Sequence, residues 1–127
     1  MKKTLLTLLV VCLISSPVYA IDFLLTGTEV TATYTEPTTN VDGSPLMDLS
    51  KTTIYYDLSG IITIIDVPAT RLTGGGVINQ IVTIPIIQGQ ERDVWFWATA
   101  SDLTGNESAE SVRVMKRIDR LAPSVPQ

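Results

Sequence analysis

The sequence predicts an all-β fold, an antiparallel β-sandwich, from three observations. After residue 20 helix patterns are almost absent, and Thr, Ile and Val, which favour half-buried strands, dominate. Val30–Thr35 (VTATYT) alternates apolar residues with Thr, as a strand with one buried face does. Turn-forming stretches such as Thr38–Pro45 separate short apolar runs. About six or seven strands at this spacing indicate one small sandwich.

The strands follow one another along the chain after Val30–Thr35, whose inward side chains are expected to be Val30, Ala32 and Tyr34. Pro85 has no backbone N–H to donate, so its strand is expected at a sheet edge. The last two strands are expected to flank a turn at Thr104–Asn106. The further predicted strands are Thr52–Tyr56, Ile61–Val67, Ile78–Ile86, Val94–Ala100 and Ser111–Lys116.

Residues 1–20 are predicted to be a secretory signal peptide. Two lysines precede the apolar run Thr4–Ile14, and Val18 and Ala20 occupy the −3 and −1 positions of a cleavage site. The run is shorter than the about 20 residues of a membrane span. A lipoprotein signal at Cys12 is the alternative, although Val11 is bulky where such a site needs a small residue. We expect a secreted protein, periplasmic or extracellular, without membrane insertion after cleavage.

Residues 21–118 are expected to form one domain, and residues 119–127 a flexible tail or linker. Cys12 is the only cysteine and lies in the signal, so the domain has no disulfide. The whole chain has a formal charge of −4 and becomes more acidic when Lys2 and Lys3 leave with the signal. A mildly acidic chain without a basic cluster argues against nucleic acid as a partner.

Two segments carry a family resemblance. Val30–Tyr56 (VTATYTEPTTNVDGSPLMDLSKTTIYY) and Phe96–Ser111 (FWATASDLTGNESAES) together resemble a fibronectin type III domain of the bacterial or phage kind. The resemblance implies a seven-stranded immunoglobulin-like sandwich, with strands A, B and E on one sheet and C′, C, F and G on the other. Tyr34 stands where strand B of the family usually has a Trp, and Thr52 where strand C usually has a Tyr. Val94 replaces the tyrosine of the corner before strand F.

No catalytic group is visible in the sequence. The chain has no His, which excludes Ser–His and Cys–His systems. Gly74–Gly76 lacks the Lys and the helix of a phosphate-binding loop. Asp102, Asn106 and Glu107 offer oxygens of the kind that Ca²⁺ binds. They fit a hairpin turn better, with Gly105 at positive φ and Asp102 as a local cap. We expect no enzymatic activity, no metal and no cofactor.

The only two tryptophans, Trp95 and Trp97, are two residues apart on one predicted strand and therefore share a face. The family pattern places Phe96 inward and the tryptophans outward. On the last strand the same alternation turns Val112 and Val114 inward. The predicted binding residues on the outer face are Tyr55, Trp95, Trp97, Arg113 and Met115.

Clustered surface aromatics are typical of a binding site. We therefore expect a non-catalytic secreted binding or adhesion module that recognises a polysaccharide or a surface protein. The alternative is a structural or assembly protein of an envelope or phage, or a spacer, that makes protein contacts. Three structural explanations of this outer aromatic face compete with binding. Strand C′ or Pro68–Gly76 folds over it, Arg113 covers a ring, or the strand phase is reversed with the tryptophans in the core.

Overall fold

The computed structural model describes residues 21–127, and within this range the chain is all β, without helices. The predicted all-β class is confirmed, whereas the predicted signal peptide lies outside the described residues. In residues 21–127 the strands are β1 (Asp22–Thr26), β2 (Glu29–Thr35), β3 (Leu49–Leu58), β4 (Ile61–Pro68), β5 (Val77–Thr83), β6 (Glu91–Asp102) and β7 (Val114–Asp119).

These strands form two antiparallel sheets. The smaller sheet has the order β1-β2-β5, and the larger has the order β4-β3-β6-β7. The central pair of the larger sheet, β3 and β6, places Tyr55 opposite Trp97. The outer pair, β6 and β7, places Trp95 opposite Met115. The sheet therefore presents residues from neighbouring strands side by side on its outer face.

The two sheets face each other across one apolar core. The ring of Phe23 on β1 lies 5.3 Å from that of Phe96 on β6, measured between centroids. Val30, Ala32 and Tyr34 are buried, as their alternation with Thr predicts. The fully buried positions of the core come from both sheets, and this sandwich-like packing leaves the second face of each sheet toward solvent.

β7 begins three residues later than predicted, at Val114 rather than Ser111, and continues to Asp119. The prediction that Val112 faces inward is wrong, because its side chain is 84% exposed. Asp119, assigned from sequence to the tail, is the last residue of β7, and Arg120 still exchanges backbone hydrogen bonds with the Gly89–Gln90 segment.

Two serine side chains explain why the alternation fails before Val114. The N–H of Ala98 on β6 donates to Ser111 Oγ at 2.9 Å, and the N–H of Ala100 donates to Ser108 Oγ at 3.0 Å. These hydroxyls take the place of the backbone carbonyls of a regular partner strand. The chain follows β6 here without strand geometry, so a period of two does not apply to its side chains.

β5 ends at Thr83, whereas the apolar run predicts a strand to Ile86. Ile84 and Ile86 are nevertheless buried, at 1% and 4% exposure, on either side of the exposed Pro85. The N–H of Ile84 donates to the carbonyl of Thr28, which continues the contact with the smaller sheet. β5 is an edge strand, as Pro85 indicates from sequence.

The segment Pro68–Gly76 is held at one end of the sandwich by a buried carboxylate. Glu36 is 2% exposed and accepts hydrogen bonds from the N–H of Thr70 at 2.9 Å and the N–H of Gly76 at 3.0 Å. The Leu49 N–H donates to the carbonyl of Leu72 in the same segment. These bonds keep the segment away from the outer face of the larger sheet.

Candidate functional site

Both tryptophans project from the outer face of the larger sheet. Phe96, between them, is fully buried in the core. On β3 the same division places Ile54 and Tyr56 in the core and Tyr55 on the outer face. The explanation by a reversed strand phase is therefore excluded. β4 lies beside β3 as a sheet edge, and Pro68–Gly76 is hydrogen-bonded to Glu36 and Leu49, so neither folds over the tryptophans.

Trp97 is only 3% exposed although it points outward, because two neighbours cover its ring. The Tyr55 ring stacks on it with centroids 5.5 Å apart and planes 4° from parallel. The Arg113 Cζ atom lies 3.8 Å from the centroid of the Trp97 ring. β3 and the segment before β7 flank β6 on opposite sides, so the indole is held between a phenol and a guanidinium. We call Tyr55, Trp97 and Arg113 the aromatic ladder.

An acidic side chain fixes each end of the aromatic ladder. Glu110 binds Arg113 through two hydrogen bonds, Nε to Oε2 at 3.0 Å and Nη2 to Oε1 at 3.1 Å. Tyr55 Oη donates to Glu107 Oε1 at 2.7 Å. Neither acid is among the binding residues predicted from sequence, where Glu107 is considered only as a source of oxygen for Ca²⁺. Glu110 and Arg113 are three positions apart, a spacing that pairs side chains on a helix but not on the strand predicted here, and nothing in the sequence links Glu107 to Tyr55 across 52 positions.

These contacts shift the pKa values of the ladder groups. The hydrogen bond to Glu107 raises the pKa of the Tyr55 phenol, and it lowers the pKa of the Glu107 carboxyl. The hydrogen bonds to Glu110 raise the pKa of the Arg113 guanidinium. Each shift favours the protonation state that makes the hydrogen bond. At neutral pH these contacts therefore hold Tyr55 neutral, Glu107 ionised and Arg113 protonated.

Trp95, two residues away on the same face, is open. Its side chain is 46% exposed, and that of Met115, opposite it on β7, is 43% exposed. Asp57 of β3 lies opposite Trp95 on the other side. Within residues 21–127 no other ring and no cation stacks on Trp95. We call Trp95 and Met115 the open patch.

Charged side chains border the open patch at the end of β6 and β7. Arg117 forms an ion pair with Glu91 and a longer one with Asp93, at 3.5 Å from Nη1 to Oδ1. Arg117 and Asp93 also lie opposite each other in the strand register. An apolar centre with a charged border is the arrangement of many recognition surfaces.

The Asp102 turn forms a local cap, as predicted. The carboxylate accepts four hydrogen bonds, from the N–H and hydroxyl of Thr104 and from the N–H and side-chain amide of Asn106, at 2.9 to 3.0 Å. Those bonds, foremost that of the Asn106 side chain, lower the pKa of Asp102 to about 2. Gly105 has a φ of 90°. No group of three or more ligating acids placed to hold a metal ion is found in the described part of the chain.

The predicted site residues thus divide into two groups: Tyr55, Trp97 and Arg113 lock one another, while Trp95 and Met115 face solvent. No protein-family model, curated protein or solved structure matches the chain. Across residues 21–127, no helix has the length and apolar character needed to cross a bilayer. The function is therefore inferred from the geometry of the outer face.

Proposed function

We propose that the chain is a secreted, non-catalytic recognition module of the fibronectin type III kind, which binds a surface protein through the open patch. The observation that carries this proposal is the pair Trp95 and Met115, opposite each other on the outer face and nearly half exposed. Covering such a pair removes apolar surface from water and so favours association with a partner.

The strand order supports the assignment to this kind of domain. The resemblance implies three strands (A, B, E) facing four (C′, C, F, G), and the sheets β1-β2-β5 and β4-β3-β6-β7 have the corresponding chain order. Two departures from the family pattern also compensate each other, because the hydroxyls of Tyr34 and Thr52 share a buried hydrogen bond of 2.5 Å. Burial raises the pKa of the Tyr34 phenol, which keeps this hydroxyl protonated.

A protein partner fits the patch better than a glycan does. A sugar-binding platform usually presents several open ring faces, but Trp97 is covered by Tyr55 and Arg113. What remains open is a tryptophan beside a methionine, bordered by Arg117 and acidic residues. Trp and Met are enriched at protein interfaces, where a few buried anchors inside a polar rim supply most of the binding energy.

Polysaccharide recognition is the second candidate. It is favoured by one observation, that the Trp95 ring is uncovered with the carboxylate-bearing Asp57 opposite it in the sheet. A single indole stacks on a sugar ring, and a neighbouring carboxylate accepts hydrogen bonds from sugar hydroxyls. Polysaccharide binding uses the same tryptophan, Trp95, as protein binding does. An experiment is therefore needed to distinguish a glycan from a protein partner.

The proposal is tested by binding fluorescently labelled protein (residues 21–127) to intact cells of the source organism. One portion of the cells is stripped of surface protein with trypsin, and another has its glycans oxidised with periodate. We expect trypsin to abolish binding and periodate to spare it. Loss of binding on periodate alone would transfer the assignment to a polysaccharide, and no binding to untreated cells would contradict cell-surface recognition.

A matched pair of variants locates the contact. Trp95→Ala is expected to weaken binding by about tenfold or more, since aromatic anchors dominate interfaces. Ile81→Ala removes a comparably exposed apolar side chain from the outer face of the smaller sheet and is expected to leave binding unchanged. Equal losses in both variants would contradict the open patch as the binding surface.

A further inference from the structure

Among the strands of residues 21–127, β4 has the least protected outer edge. Ile61, Ile62 and Ile64 are 72%, 52% and 61% exposed. β4 is the terminal strand of its sheet, and among residues 21–127 its outer edge pairs with no other strand. Natural proteins guard such edges with charges, bulges or covering segments, because unpaired backbone groups template the addition of another strand.

The other three edges of the two sheets differ from β4. β7 carries Lys116 and Arg117, and β1 has only five residues and begins with an aspartate. β5 has two amide side chains, Asn79 and Gln80, at its centre. In β4 the first charged residue is Asp66, the sixth position, and it is bound to Lys51 of its own sheet at 3.0 Å.

The sequence of β4 is complementary to itself. Residues 61–65 read Ile-Ile-Thr-Ile-Ile, which is the same in both directions. In an antiparallel pair centred on Thr63, threonine meets threonine and Ile62 meets Ile64 of the second copy. Asp66 falls opposite Gly60 of the second copy, so no like charges face each other. Threonine–threonine pairs are favourable cross-strand neighbours, and the paired isoleucines bury apolar surface against each other.

The inner side of the same edge has room for the added side chains. A groove of about 360 Å³ runs between β4 and the segment that follows β5, and its lining includes Tyr56, Ile61, Thr63 and Ile86. The alternate residues of β4, Ile61 and Thr63, face this groove, while Ile62 and Ile64 face the outer surface. A strand added at the edge would place side chains in both apolar regions.

From these observations we propose that two copies of the chain associate through antiparallel β4–β4 pairing about a two-fold axis at Thr63. The two larger sheets become one continuous sheet, with Ile62 and Ile64 of each copy covered by the other. This dimer is independent of the function proposed above, but it places two open patches on one continuous surface. A partner displayed in many copies on a cell would then be bound with avidity.

Sedimentation velocity of purified residues 21–127, from micromolar to near-millimolar protein, tests the association. We expect a reversible dimer whose dissociation constant rises by more than about tenfold in Ile64→Lys, because a charge enters the apolar pairing. Ile81→Lys, at 57% exposure on the edge strand of the other sheet, is the matched control and is expected to dimerise like the parent. Circular dichroism establishes that both variants are folded. A parent that remains monomeric throughout, or a dimer lost only in Ile81→Lys, would overturn the proposal.

Disulfide trapping tests the position of the axis, since residues 21–127 contain no cysteine. Thr63→Cys places two thiols at directly opposed positions, about 4.5–5.5 Å apart between Cα atoms, within the range of a disulfide. Asp66→Cys places them six residues apart along the strands, about 20 Å. We expect mild oxidation to give a covalent dimer with Thr63→Cys and none with Asp66→Cys. Equal trapping of both, or trapping of Asp66→Cys alone, would overturn the pairing.

Discussion

Trp95 and Trp97 occupy the same face of the same strand, yet one is 46% and the other 3% exposed. The difference comes from the neighbouring strands. Trp97 lies between Tyr55 and Arg113, whereas Trp95 has Asp57 on one side and Met115 on the other. Strand alternation sets the direction of a side chain, but the residues beside it across the sheet set its exposure.

The two tryptophans therefore differ in what they contact. Trp97 stabilises the outer face as the centre of the aromatic ladder, which Glu107 and Glu110 fix at its ends. Trp95 contributes little to that network and is free to contact a partner. The stability of the outer face and the recognition that we propose therefore rest on adjacent but separable residues.

The largest expected effect is on stability. Trp97→Ala removes a buried indole and is expected to lower the free energy of unfolding by about 3–5 kcal/mol. Trp95→Ala removes a half-exposed ring and is expected to cost less than about 1 kcal/mol. Urea denaturation of residues 21–127, followed by circular dichroism, measures both. Equal costs would mean that the two tryptophans are packed alike.

The second-largest expected effect is on the accessibility of the Trp97 ring to solvent. Arg113→Ala removes the guanidinium from the indole face, so acrylamide is expected to quench Trp97 more readily. The measurement uses a Trp95→Phe background, in which Trp97 is the only tryptophan, with excitation at a wavelength that tyrosine does not absorb. Glu110→Gln, which weakens the hold on Arg113 but leaves it in place, is expected to give a smaller increase. Unchanged quenching in Arg113→Ala would show that Tyr55 and the sheet cover Trp97 without the arginine.

The Tyr55–Glu107 contact predicts a pH dependence with two limits. The pKa of Tyr55 is raised above 10.0. Its contribution to the free energy of unfolding is therefore complete below pH 10 and is lost as pH rises through the raised pKa. The pKa of Glu107 is lowered from 4.5. Its contribution to the free energy of unfolding is therefore complete above pH 4.5 and is lost as pH falls through the lowered pKa.

Tyrosinate absorbance of the parent, minus that of Tyr55→Phe, isolates the phenol titration. Glu107→Gln removes the carboxylate and is expected to move the pKa of Tyr55 back toward 10.0. A Tyr55 titration that is the same with and without the carboxylate would contradict the hydrogen bond that ends the ladder.

The smallest expected effect lies in the turn that positions Glu107. Asp102 has a pKa of about 2, so its share of turn stability is present above its unfolded value of 3.8 and is lost as pH falls toward 2. Asp102→Ala is expected to increase amide exchange at Thr104 and Asn106, which lose their acceptor. Trp95 quenching is expected to stay unchanged, because the turn contacts the ladder and not the open patch.

Local alternation predicts the all-β class and the inward face of β2. The inward face of β3 and the outward direction of both tryptophans follow from the family resemblance, because alternation alone shows only that Trp95 and Trp97 share a face. The start of β7 is not predictable in this way, since Ser108 and Ser111 replace backbone acceptors with hydroxyls. Neither is the burial of Trp97, which depends on a phenol and a guanidinium brought beside it from other segments. The faces of β4 also require the structure, because the pattern Ile-Ile-Thr-Ile-Ile has no apolar–polar alternation to read.

The most direct test of the division between the two tryptophans is acrylamide quenching of two single-tryptophan proteins, Trp95→Phe and Trp97→Phe, at neutral pH. We expect Trp97 alone to emit at shorter wavelength and to resist quenching, and Trp95 alone to emit at longer wavelength and to be quenched readily. Equal quenching of the two, or a protected Trp95, would contradict both the aromatic ladder and the open patch.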